Sequence, residues 1–137
     1  MTRELTGGCL CGAVRYRVVA EPTWVGHCHC NMCRRASGAP FVTWFTVAST
    51  AVIWEHQQPV RIRSSPIAQR GHCMGCGAQI AWQALDQPDS MDLTVATLDD
   101  PGAVRPVEHL YWADRMPGLE LRDTLPRRRK GRASPLA

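Results

Sequence analysis

Seven cysteines in three tight clusters constrain this chain more than any other feature. GGCLCGAV carries Cys9 and Cys11, HCHCNMC carries Cys28, Cys30 and Cys33, and HCMGCGAQI carries Cys73 and Cys76. An odd number cannot all pair with one another, and thiols one or two residues apart bridge poorly. The pattern therefore favours metal ligation in a reducing compartment over a secreted disulfide framework. A chain of 137 residues is long enough to bury a core without disulfides but sits toward the small end of ordinary domains. The expectation is one zinc-binding domain over residues 1–125, followed by a basic tail over 126–137.

Four of the cysteines look like a complete ligand set. Cys9 and Cys11 are followed at once by Gly12-Ala13 and an apolar stretch, and Cys73 and Cys76 by Gly77-Ala78 and another. A loop that aims two sulfurs at one metal must turn tightly, and a glycine just after it is free to take positive φ. Backbone N–H groups then approach the negative sulfurs. Two such loops predict a four-cysteine zinc site that ties distant strands together and couples metal affinity to folding.

Cys28, Cys30 and Cys33 lack that Gly-Ala sequel, and Arg34 and Arg35 follow instead. Three thiolates on one zinc leave a fourth position for water, a substrate thiol or another side chain. An open position suits Lewis-acid chemistry or capture of a thiol as thiolate, with the arginines supplying positive field and carboxylate recognition. His27, His29 or His72 completing a closed structural site is the alternative, and a metal-free redox cluster is a third. If the segment is extended, Cys28 and Cys30 share one face and His27 and His29 the other.

The rest of the chain reads as mainly β. Apolar and polar residues alternate in Val14–Val18 and around Val60 and Ile62, which predicts half-buried strands. Further β-branched and aromatic segments fall at Phe41–Val47, Ala51–Trp54, Ala78–Trp82 and Met91–Ala96, separated by proline-containing turns. Asn31–Ser37 is the one candidate for a short helix.

The net charge of +4 resides in the tail, where Arg127, Arg128, Arg129, Lys130 and Arg132 cluster. Without them 11 basic residues face 12 acidic ones, so the body is near neutral and nucleic acid is not an expected partner. The tail itself reads as a solvated terminus, with a contact to phosphate or a partner as the alternative. The N-terminus has no apolar signal region, and the Phe41–Trp54 stretch is too short and too polar to span a bilayer. The expectation is a soluble, cytoplasmic protein without membrane partners; nothing in the pattern fixes its oligomeric state.

GGCLCGAVRY, CHCNMCRRASGAPF, SSP followed by RGHCMGCGAQI, and the late HLYW together resemble the glutathione-dependent formaldehyde-activating enzyme family, whose domain also occurs in centromere protein V. The resemblance runs from about Gly7 to Trp112. It implies an Mss4-like fold of short antiparallel strands, a structural zinc on Cys9, Cys11, Cys73 and Cys76, and a catalytic zinc on Cys28, Cys30 and Cys33. It also implies a carbon–sulfur lyase that joins glutathione, a small thiol substrate, to formaldehyde as S-hydroxymethylglutathione. His72 stands where the family commonly has an aromatic, and His109 and Trp112 fall in its closing segment. A zinc-stabilised interaction module without catalysis is the competing expectation.

Overall fold

The computed structural model describes residues 3–137. Two compact units divide the chain: the first comprises residues up to Thr23 together with Phe45–Val104, the second Trp24–Trp44 and Arg105–Ala137.

In the first unit β1 (Leu5–Gly8), β2 (Val14–Val18) and β5 (Val52–His56) form an antiparallel sheet with β2 in the middle. The alternation expected for β2 is what the structure shows: Val14, Tyr16 and Val18 are buried while Arg15 and Arg17 turn outward to Asp99, Glu55 and Glu4. Tyr16 buries its ring because its hydroxyl finds Thr97 Oγ1 at 2.9 Å. A meander of β6 (Val60–Ser65), β7 (Ala68–His72), β8 (Gln79–Ala84) and β9 (Ser90–Thr94) follows, with Ile80, Ala81, Met91 and Leu93 in the core.

β6 differs from its expected half-burial. It ends the order β9-β8-β7-β6, and neither face is covered, so Val60 and Ile62 are as open to solvent as Arg61 and Arg63. β7 carries the opposite surprise. Its sequence AQRGH looks polar, yet Ala68, Arg70 and Gly71 are buried because the strand lies between β6 and β8.

The second unit is built on β3 (Trp24–Cys28) and the two-residue β10 (His109–Leu110), which run parallel with His109 opposite His27 and Leu110 opposite Cys28. β4 (Val42–Ala48) begins here and continues into the first unit. The helix α1 (Asn31–Ser37) has the expected bounds. Cys30 caps it, its sulfur accepting from Cys33 N–H at 3.2 Å, and the Gly38 N–H closes it on the Arg34 carbonyl.

Residues 126–137 stay mostly exposed but are bonded to the rest of the second unit. His109 N–H donates to the Pro126 carbonyl (2.8 Å), Arg128 N–H to the His109 carbonyl (2.7 Å) and Tyr111 N–H to the Lys130 carbonyl (2.9 Å), so this arm lies along β10. Its cations also have local anchors. Arg128 reaches Glu108 at 2.8 Å, Lys130 reaches Asp114 at 3.3 Å, and Arg132 lies over the Trp24 ring. Charge composition alone cannot register such pairing, because the partners are up to 108 residues away in sequence. No helix among the described residues is long and apolar enough to cross a membrane.

Candidate metal centres

The two knuckles of the first unit are built alike. Cys9 N–H donates to the Val14 carbonyl and Gly12 N–H to the Cys9 carbonyl; Cys73 N–H donates to the Ala78 carbonyl and Gly77 N–H to the Cys73 carbonyl. Gly12 (φ 83°) and Gly77 (φ 78°) occupy the left-handed region, as the paired sequence pattern requires. The turns bring Cys9, Cys11, Cys73 and Cys76 together, with all sulfurs within 4.8 Å of one another. Cys9 Sγ lies 3.6 Å from Cys11 Sγ, which lies 3.7 Å from Cys73 Sγ. Tetrahedral zinc with Zn–S bonds of about 2.3 Å asks for sulfurs roughly 3.8 Å apart, so the set fits the ion.

Local donors prepare these sulfurs for charge. Burial pushes Cys9 up, but the Val14 N–H at 3.2 Å and the neighbouring thiols outweigh it and hold the group at about 6. Cys76 is lowered by the backbone N–H of Ala78 and then by that of Cys11. The Ala13 N–H lowers Cys11, but the sulfurs of Cys9 and Cys73 outweigh it and raise the group to about 11.

The second unit brings Cys28, Cys30 and Cys33 together within the same mutual distance, and all three are buried. β3 delivers Cys28, and the capped first turn of α1 delivers Cys30 and Cys33. The sulfurs of Cys30 and Cys33, and then burial, push Cys28 far above an ordinary thiol. Three buried thiols in this arrangement carry joint negative charge only beside a cation, which is the donor chemistry of a metal site. Among the described residues no histidine or carboxylate joins that group.

The three histidines weighed as a fourth ligand are placed elsewhere. His27 and His29 share a face, as the alternation predicts, and both stack on His109 with ring centroids at 4.7 and 5.1 Å. His27 Nδ1 is bonded to Thr43 Oγ1 at 2.8 Å, and His29 Nε2 to His109 Nδ1 at 2.8 Å. Burial, followed by the neighbouring His109 ring, lowers both to about 4. His72 ends β7 in the first unit, its Nδ1 buried without a partner.

Around His29 and His109 the second unit gathers aromatic rings and cations. Trp112 meets His29 and His109 edge-on, and the guanidinium groups of Arg115 and Arg127 lie 4.7 and 4.6 Å from its ring. Arg34 bonds Asn31 Oδ1 at 2.9 Å and the Asp114 carbonyl at 3.4 Å, whereas Arg35 points to solvent. Two further arginines, Arg63 and Arg70, are in the first unit. Arg63 bonds the Pro66 carbonyl, and buried Arg70 bonds Gln79 Oε1 at 3.0 Å.

Sequence reading missed two residues here. Tyr111 takes φ 55°, and its phenol is raised by burial and then by Cys28 and Cys30, so it lies in the field of that cluster. Its position in HLYW carried no signal for this. Asp123 accepts from His109 Nε2 at 3.0 Å and had no sequence motif to mark it.

Cysteine clusters on short, mostly antiparallel strands define an Mss4-like zinc-binding class of fold. Within that class the chain belongs to the glutathione-dependent formaldehyde-activating enzyme family, whose sequence model matches residues 4–114. It is 30% identical over 77 residues to an uncharacterized lyase of Schizosaccharomyces pombe; the match covers 56% of each chain, so this chain spans about half the length of that curated relative. It also resembles a crystal structure of a Rhodobacter sphaeroides protein, with a TM-score of 0.57 and 23% identity over 74% of this chain and 91% of that one. That likeness concerns the fold alone.

Proposed function

We propose that the protein is a zinc-dependent carbon–sulfur lyase that forms and cleaves thiol–aldehyde adducts, with glutathione and formaldehyde as the leading pair. The observation that carries this reading is the cluster of Cys28, Cys30 and Cys33, three buried sulfurs gathered without a fourth protein ligand among the described residues. Membership of the family supports the substrate pair. Cys9, Cys11, Cys73 and Cys76 would hold a second, structural zinc.

Zinc on the three cysteines would keep an incoming thiol ionised at neutral pH. The reaction is an addition: thiolate sulfur bonds to the carbonyl carbon, the carbonyl π electrons move to oxygen, and that oxygen takes up the thiol's proton. The chain's own residues orient the substrate and limit water. Trp112, backed by His29 and His109, forms an apolar wall, while Arg115 presents a cation beside a hollow of about 350 Å³ in the 115–120 loop. A small peptide thiol has carboxylates that such cations recognise. Engagement of Arg127, Arg128, Lys130 and Arg132 by the second unit itself favours this reading over an interaction module with a free basic tail.

The test combines metal content with turnover. The parent chain is expected to carry two zincs and to accelerate adduct formation from glutathione and formaldehyde, and folded Cys28→Ser to lose that acceleration. A Cys28→Ser chain that still turns over as the parent does would overturn the proposal.

A further inference from the structure

Asp123, its side chain 36% exposed, leads into the buried rings of His109 and His29, and no step of the addition as described moves a proton along this chain. Asp123 offers both carboxylate oxygens to His109 Nε2, at 3.0 and 3.1 Å. His109 Nδ1 meets His29 Nε2 at 2.8 Å. Both rings are fully buried, and His29 Nδ1 has no hydrogen-bond partner. The protons follow from this geometry. A carboxylate only accepts, so His109 carries a proton on Nε2, and in the neutral ring Nδ1 is left as acceptor. His29 then donates from Nε2, and its orphan atom is a bare lone pair rather than an unsatisfied N–H, the less costly alternative in a dry site.

Asp123 is itself held from several sides. Leu125 N–H donates to its Oδ1 at 3.0 Å and Arg127 Nη1 at 3.3 Å. Arg127 in turn donates to the carbonyls of Leu125 and Leu121. The same arm bonds the His109 backbone on both its N–H and its carbonyl. At the other end of the chain, His29 sits between Cys28 and Cys30, and its backbone N–H donates to the Leu110 carbonyl at 3.0 Å. A ring locked at His29 therefore fixes the backbone that aims two of the three sulfurs.

We infer that Asp123, which lies beyond the span shared with the family, is a positioning residue for the Cys28–Cys30–Cys33 metal site and acts on it through His109 and His29. The inference rests on the reading that these three cysteines hold zinc. It makes the 115–137 segment a working part of the site. Outer partners that orient a metal's ligands typically change affinity 10- to 100-fold when lost.

The test is chelator competition on the zinc-loaded full chain, with the equivalent missing from Cys28→Ser identifying the three-cysteine site. In Asp123→Ala that equivalent is expected to bind about 10- to 100-fold more weakly, while the four-cysteine equivalent is unchanged. In a His109→Phe background, which keeps an aromatic ring and removes both nitrogens, Asp123→Ala should add nothing further. ¹⁵N shifts of His29 should report a single Nε2–H form in the parent and a mixture in Asp123→Ala. If Asp123→Ala does not fold, Asp123→Asn keeps the size, loses the charge, and should weaken the same equivalent to a smaller degree.

Two bound zincs with no selective weakening in these variants, or equal weakening of both equivalents, would overturn the inference and leave the metal reading intact. A parent chain with only the four-cysteine zinc would overturn both.

Discussion

Arg15 and Asp99 show how a surface pair on β2 acquires a pH signature. Arg15 donates from both Nη atoms to the two Asp99 oxygens, at 2.9 and 2.5 Å, and Thr6 adds a third bond at 2.7 Å. The Arg15 hydrogen bonds, then that of Thr6, lower Asp99 to about 2. A depressed carboxylate stabilises the fold fully above its unfolded pKa near 4, and that contribution is lost as pH falls through about 2. Both side chains are partly open to solvent, which limits the pair to less than about 1 kcal/mol. Arg15→Ala should therefore be slightly less stable than the parent above pH 4, the gap closing toward pH 2. Denaturant midpoints across that range check it; a gap that persists at low pH would sink the argument. Legibility at this scale followed local grammar. Gly12 and Gly77 were readable because a tight cysteine turn dictates their φ, whereas Asp123 was not, since its partner His109 is set by folding and not by spacing.

Among the elements, those with a repeating local signal were readable. β2 alternates and is buried as it alternates, and Asn31–Ser37 combines a cap with a helix-compatible run. β10 was not readable: two residues contain no period, and their strand character comes from β3, which lies some 80 residues earlier. The bonding of the 126–137 arm is not legible in the sequence for a related reason. Its arginines look solvated until Glu108, Asp114 and Trp24 are brought to them. Glu108 is the pivotal partner, since it is mostly buried and also accepts from Trp24 Nε1 at 2.8 Å. Removing the arm leaves that carboxylate without its guanidinium and His109 without two backbone bonds. Truncation after Leu125 is accordingly expected to speed amide exchange in β3 and β10 and to lower the melting temperature by several degrees. Unchanged exchange in those strands would return the arm to the status of a solvated tail.

For the molecule as a whole, the division of the cysteines between the two compact units decides what metal removal should do. Cys9, Cys11, Cys73 and Cys76 join the β1–β2 and β7–β8 turns of the first unit, 62 residues apart at Cys11 and Cys73. Four sulfurs would fill a tetrahedral shell around zinc, and the backbone N–H groups of Val14 and Cys76 support them. Cys28, Cys30 and Cys33 fall within six residues of one another in the second unit and supply one ligand fewer. The loop they close is short, so an ion held there would contribute less to constraining the unfolded chain. A limited dose of chelator should thus strip the three-cysteine site first, abolishing turnover while amide exchange rises only around β3 and α1. Further chelation should release the second ion and open the β1–β2 and β7–β8 turns, with the cooperative loss of structure falling in this later step. Exchange measured by mass spectrometry against bound zinc per chain resolves the order. Early exchange at Val14 and Ala78, before any at Cys33, would reverse the assignment of structural and reactive clusters.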